Sequence, residues 1–119
     1  VLNHAADQFA TAETQSVSGN WSNSGGRSAT ASGNPKYTLT VSSSASATIN
    51  LMSSVDTYMY LLNSSGSVIA SNDDGGSGYN SRITKSLAAG TYTVVAATYS
   101  SGKSGSFTVT TTAGSLSAQ

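Results

Sequence analysis

The chain has 119 residues, which suits one domain, and five Lys+Arg balance five Asp+Glu. With that neutral balance and 8% charged residues, it lacks the basic footprint that nucleic acid or an anionic membrane demands. No cysteine is present, which excludes disulfides and thiolate metal sites, and no apolar run reaches the ~18–20 residues of a membrane span.

Catalysis is disfavoured on the same grounds. His4 is the one histidine, and a Ser-His-Asp arrangement would have to use it. The five acids are Asp7, Glu13, Asp56, Asp73 and Asp74. Asp73 and Asp74 are chain neighbours, so in an extended segment they point opposite ways. That does not give the facing pair a glycosidase needs.

In chain order, residues 1–12 read as a lead-in to a β module over 13–112. The absence of an initiator Met and of a signal peptide suggests a module excised from a longer chain, or a mature N-terminus. A first strand is predicted over Glu13–Val17. Tyr37, Leu39 and Val41 alternate with Thr38 and Thr40, and Ala47, Ile49 and Leu51 with Thr48 and Asn50, both half-buried strand patterns. Thr57–Leu62 is a nearly continuous apolar run suited to a strand covered on both faces, with Tyr58 and Tyr60 in the core. Strands then follow at Val68–Ala70, around Ile83, at Tyr92–Thr98 with Tyr92 in the core, and at Gly105–Thr112. Gly66, Gly90 and Gly102 mark turns between them. The longer breaks are Asn20–Asn34 and Asn72–Asn80. Residues 113–119 read as a tail or linker. No segment holds a helical apolar stripe. The fold class is therefore all-β: an antiparallel, jelly-roll-like β-sandwich of about seven or eight strands, with a closed barrel second.

Twenty-five Ser and 15 Thr supply polar strand faces without charge. Trp21 is the sole tryptophan and reads mainly as a packed ring. Tyr79 and Tyr99 fall in or near loops. Trp21, Tyr79 and Tyr99 are the candidates for stacking on a ligand. Two Asn-x-Ser sequons, at Asn20 and Asn63, carry no weight in so Asn- and Ser-rich a chain.

The chemistry-bearing stretch is Asp56 with Asn72-Asp73-Asp74-Gly75-Gly76. A hairpin of Tyr58–Leu62 and Val68–Ser71 has arms of similar length and returns Asn72–Asp74 to the end where Asp56 lies. Three carboxylates and an amide at one sheet end are hard oxygen donors. They suit Ca²⁺, which takes six to eight oxygens at loose geometry, better than zinc, which prefers nitrogen or sulfur. The spacing is not that of an EF-hand. The same residues read equally well as turn formers, with Asp56 paired to Arg82.

The ordered run Asp56, Tyr58, Tyr60, Leu62, Gly66, Ile69, Ala70, Asn72, Asp73, Asp74, then Ser81-Arg82-Ile83, Ala89-Gly90-Thr91-Tyr92 and Gly105-Ser106-Phe107 resembles the bacterial pre-peptidase C-terminal domain family. Met59 stands where that family favours Leu, and Asn63 where it often has Asp. Gly19-Asn20-Trp21, Gly25-Gly26 and Asn34-Pro35-Lys36-Tyr37 resemble the third domain of calpain-type proteases, a related β-sandwich. The first resemblance implies a noncatalytic accessory module of a secreted bacterial hydrolase, commonly a peptidase, associated with calcium. Its expected partners are the catalytic domain of the parent chain and an extracellular polymer, either collagen-like protein or polysaccharide. A carbohydrate-binding module of a polysaccharide-degrading enzyme is the alternative, and a ligand-free spacer or adhesion module the third reading. The expected state is a monomer that binds neither nucleic acid nor membrane.

Overall fold

Alternating side chains leave each strand with one apolar and one polar face, and two such faces close against each other. The computed structural model describes residues 15–73 and 79–119. Its strands are β1 (Gln15–Trp21), β2 (Lys36–Val41), β3 (Ala45–Ser53), β4 (Thr57–Leu62), β5 (Val68–Asn72), β6 (Ser81–Leu87), β7 (Gly90–Thr98), β8 (Gly105–Thr111) and β9 (Ser115–Ala118). One sheet runs β1-β8-β3-β6 and the other β5-β4-β7-β2-β9, antiparallel throughout. The all-β sandwich expected from the sequence is thus the fold. Its core between the sheets includes Leu39, Ile49, Leu51, Met59, Leu61, Val94 and Val109, all essentially inaccessible to solvent.

Three features differ from the sequence reading. The first strand extends to Trp21 because that ring is an anchor, 2% exposed and 4.5 Å from the Phe107 ring. Residues 115–118 form β9 rather than a tail: they pair with β2, and Leu116 packs on the core. Tyr58 and Tyr60 are half-buried on the outer face of their sheet, because Thr57, Met59 and Leu61 take the inward positions of β4. Tyr92 does pack against the core, its hydroxyl donating to the Ala88 carbonyl at 2.7 Å.

The long β1–β2 loop is held by two devices. In register, Pro35 stands opposite Ala96, one step beyond the Lys36–Val95 pair. The Ala96 N–H donates to the Pro35 carbonyl at 2.9 Å. Pro35 has no N–H to return, and the Trp21 indole N–H supplies that bond instead, to the Ala96 carbonyl at 3.0 Å. The second device is Asn34, 1% exposed. Its Oδ1 accepts from the Gly25 N–H at 3.0 Å, while its Nδ2 donates to the carbonyls of Gly26 at 3.0 Å and Ser28 at 2.8 Å. Gly26 adopts φ +68°, a conformation that favours glycine. Gly19 admits the rings of Tyr37 and Phe107, since a Cβ there would lie 2.6 Å from Phe107 Cζ.

Substitution separates these devices. Trp21→Phe keeps an aromatic ring, though a smaller one, but leaves the Ala96 carbonyl without its donor, and is expected to cost about 2 kcal/mol in urea unfolding. Asn34→Ala removes three side-chain bonds inside a buried loop and is expected to cost about 3 kcal/mol. A loss below about 0.5 kcal/mol for either would show that the loop is held elsewhere.

Candidate functional site

The β4–β5 hairpin meets the start of β6 at one end of the sandwich. Asn72 pairs with Met59, which sets Asp73 beside Tyr58 and close to Asp56. A hydroxyl relay then ties the end together. The Ser81 hydroxyl lies 2.6 Å from that of Thr57 and also donates to the Asp73 carbonyl. The Thr57 hydroxyl proton is shared between Ser81 Oγ and the Tyr79 carbonyl, the latter 2.7 Å away. Thr57 and Ser81 are fully buried, so these hydroxyls satisfy one another where water has no access. The Tyr99 N–H donates to the Asp56 carbonyl at 3.0 Å, closing the neighbouring strand end.

Asp56, Asn72 and Asp73 are therefore brought to one end, as the hairpin argument requires; Asp74 lies outside the described residues. Asp56 Oδ1 is buried and has no hydrogen-bond partner among the described residues. An ionised carboxylate oxygen left so is costly. Among those residues no group of three His, Cys, Asp or Glu side chains is gathered. Arg82 does not approach Asp56: it is exposed on the other sheet, and its Nε donates to Asn50 Oδ1 at 3.0 Å. The expected ion pair fails because residues 82 and 50 are cross-strand partners on the polar face of β6 and β3.

The aromatic candidates divide. The Trp21 ring lies in the core, so it offers no surface to a ligand. Tyr79 is 59% exposed and Tyr99 41% exposed. Arg27 sits 4.1 Å above the Tyr99 ring centroid, a cation–π geometry. It is carried there by the β1–β2 loop, which joins the β7–β8 loop through Ser24: the Ser24 N–H donates to the Lys103 carbonyl at 2.9 Å, and the Gly102 N–H to the Ser24 carbonyl at 2.7 Å. The Tyr58 and Tyr60 rings lie 5.0 Å apart. Burial, and then the neighbouring Tyr58, push the Tyr60 hydroxyl above the ordinary tyrosine range, with Arg27 acting against both. Sequence reasoning missed Tyr58, Tyr60 and Arg27. The alternation Thr57-Tyr58-Met59-Tyr60-Leu61 held the signal, since a period of two puts both tyrosines opposite Met59.

Comparison with solved structures gives the pre-peptidase C-terminal domain of a collagenase from Bacillus anthracis, with TM-score 0.62, 13% identity, and coverage of 83% of this chain and 89% of that one. It also gives PliG of Aeromonas hydrophila, a periplasmic inhibitor of g-type lysozyme, with TM-score 0.62, 15% identity, and coverage of 88% and 87%. At these identities the likeness is one of fold. A sequence comparison with curated proteins gives no match. The profile of the bacterial pre-peptidase C-terminal domain matches residues 33–98, more than half of the sequence. That family is one of noncatalytic accessory domains, and the chain belongs to it.

Proposed function

We propose that this chain is a noncatalytic accessory module of a secreted bacterial hydrolase, most directly a peptidase, and that it binds Ca²⁺ through Asp56, Asn72, Asp73 and Asp74. Family membership supports the first part. The observation that carries the second is the buried Asp56 Oδ1, without a partner among the described residues, at the end where Ser81 fixes the Asp73 carbonyl. A hard cation would supply that oxygen with a counter-charge, and oxygen-only donors suit Ca²⁺. The ion would fasten the hairpin end to the following loop, and so stabilise the module outside the cell while the catalytic domain works.

The test is a thermal melt of the purified domain in EDTA, in millimolar Ca²⁺ and in Mg²⁺. At a hundredfold excess over Kd, binding stabilises by about 2.7 kcal/mol, a rise in Tm of roughly 10 °C for a domain of this size. The rise is expected with Ca²⁺ alone, and should vanish in Asp56→Ala and Asp73→Ala. Superimposable curves in EDTA and Ca²⁺, or a rise that survives both substitutions, would remove these residues from any site.

The exposure of Tyr79 and Tyr99 favours a second reading, a carbohydrate-binding module whose rings stack on sugars. Retention on insoluble chitin, cellulose and agar, with collagen in parallel, checks it. Tyr79→Ala and Tyr99→Ala should each weaken retention on a polysaccharide several-fold. Undiminished retention would take the two rings out of the binding surface.

A further inference from the structure

The outer face of the five-stranded sheet is built in a way that the calcium reading does not use. Tyr58 and Tyr60 stand on it, and their cross-strand partners on β7 are Ala97 and Val95. Both partners are fully buried although they lie outside the core cluster between the sheets. They are covered from the outside, then, on the face where the tyrosines stand. Tyr99 follows the end of β7, tied to the start of β4 by its N–H bond to the Asp56 carbonyl, with Arg27 above its ring and lowering the pKa of the Tyr60 hydroxyl against the effect of burial.

Charge is distributed unevenly over this neutral chain. Of its five cations, Arg27, Lys36 and Lys103 lie on this face or in the two loops at its end, whereas Arg82 and Lys85 are on β6 of the other sheet; the carboxylates Asp56 and Asp73 stand at the β4–β5 end of the same face, so it is Arg27 and not net charge that selects an anion. Lys36 is engaged with the Ala31 and Asn34 carbonyls, at 3.0 and 3.2 Å. The partner of the Arg27 guanidinium among the described residues is the Tyr99 ring. A guanidinium lying over a ring keeps its in-plane N–H donors for a carboxylate. Paired tyrosine rings with one preorganised guanidinium match a polymer of flat-faced units carrying spaced carboxylates. They do not match the dense phosphates of nucleic acid, about one charge per 1.7 Å of duplex axis. We infer that this face binds an acidic polysaccharide, with sugar rings stacked on Tyr58 and Tyr60 and a uronate carboxylate held by Arg27 from its place over the Tyr99 ring. The inference rests on the carbohydrate-binding reading above and names the class of sugar.

Calorimetric titration of the domain in EDTA with oligogalacturonate, a neutral mannan oligosaccharide and soluble gelatin tests it. Oligogalacturonate should bind best. Arg27→Ala should weaken it about tenfold or more, Arg27→Lys should fall between Arg27→Ala and the parent, and Tyr60→Ala should weaken it too. Arg82→Ala, on the opposite face, should leave affinity unchanged, with melting curves confirming that each variant is folded. Equal losses in Arg27→Ala and Arg82→Ala would mean diffuse charge attraction and overturn the assignment. Neutral mannan binding alone would overturn the acidic class while keeping the carbohydrate reading. Gelatin binding alone would overturn both in favour of a protein polymer, and binding of none of the three would remove this face as a glycan site.

Discussion

A proline at the start of a strand leaves its neighbour a carbonyl short of a donor, and the architecture of this module follows from how that gap is filled. Pro35 accepts from Ala96 but cannot donate back. The Trp21 indole, at the end of a strand in the other sheet, crosses to complete the pair. One side chain thus joins the two sheets through the core and fixes where the β1–β2 loop begins and ends. Asn34 then folds the loop between those points by spending its amide on three backbone groups. Because the amide is buried, water cannot take over those bonds, and the loop has little freedom to rearrange. Arg27 stands on that rigid loop, so its position over Tyr99 is set by Trp21, Asn34 and Pro35, residues of the same fold-defining run.

This also explains the pattern Gly-x-Trp, Gly-Gly, Asn-Pro as a single physical unit. Gly19 opens space for Tyr37 and Phe107, Trp21 supplies the missing donor, Gly25 and Gly26 allow the tight path around Asn34, and Pro35 creates the need that Trp21 meets. The run of residues was legible in the sequence; the relation between them was not, because it depends on which strand lies opposite Pro35.

The same distinction runs through the rest of the molecule. Period-two patterns such as Tyr37-Thr38-Leu39-Thr40-Val41 reveal strands because the core demands them locally. Ser115–Ala118 has too weak a pattern to announce a strand, and becomes one only because β2 offers an open edge. The hairpin argument did bring Asp56, Asn72 and Asp73 to one end, since equal arms return to their origin whatever the tertiary fold. Pairing Asp56 with Arg82 required knowing which sheet β6 joins, and β6 joins the other one. Tyr58 and Tyr60 were misplaced for a third reason: in a nearly continuous apolar run a period of two separates the faces without saying which is inward, and the burial of Met59 and Leu61 decides it.

The two outer faces then take different characters from one constraint, scarcity of charge. On the four-stranded sheet, solubility is carried by hydroxyls, with Ser18 opposite Thr108 and Thr48 opposite Thr84, each pair 3.3 Å apart. Such a face is wet, and Arg82 is its exposed cation, bonded to Asn50 on the neighbouring strand. On the five-stranded sheet β4 and β7 hold Tyr58, Tyr60, Val95 and Ala97, beside Lys36 and the threonine pairs Thr38–Thr93 and Thr40–Thr91, with a guanidinium from a loop over the Tyr99 ring. The arginines of the two faces are used differently: Arg82 bonds the side chain of Asn50 on the next strand, whereas Arg27 is held over an aromatic ring. Rings that shield buried Val95 and Ala97 while a cation is held above a neighbouring ring form a surface organised before any partner arrives. Preorganisation of that kind lowers the entropic cost of binding. What distinguishes this face from the other is therefore its paired tyrosine rings and the guanidinium held over a third.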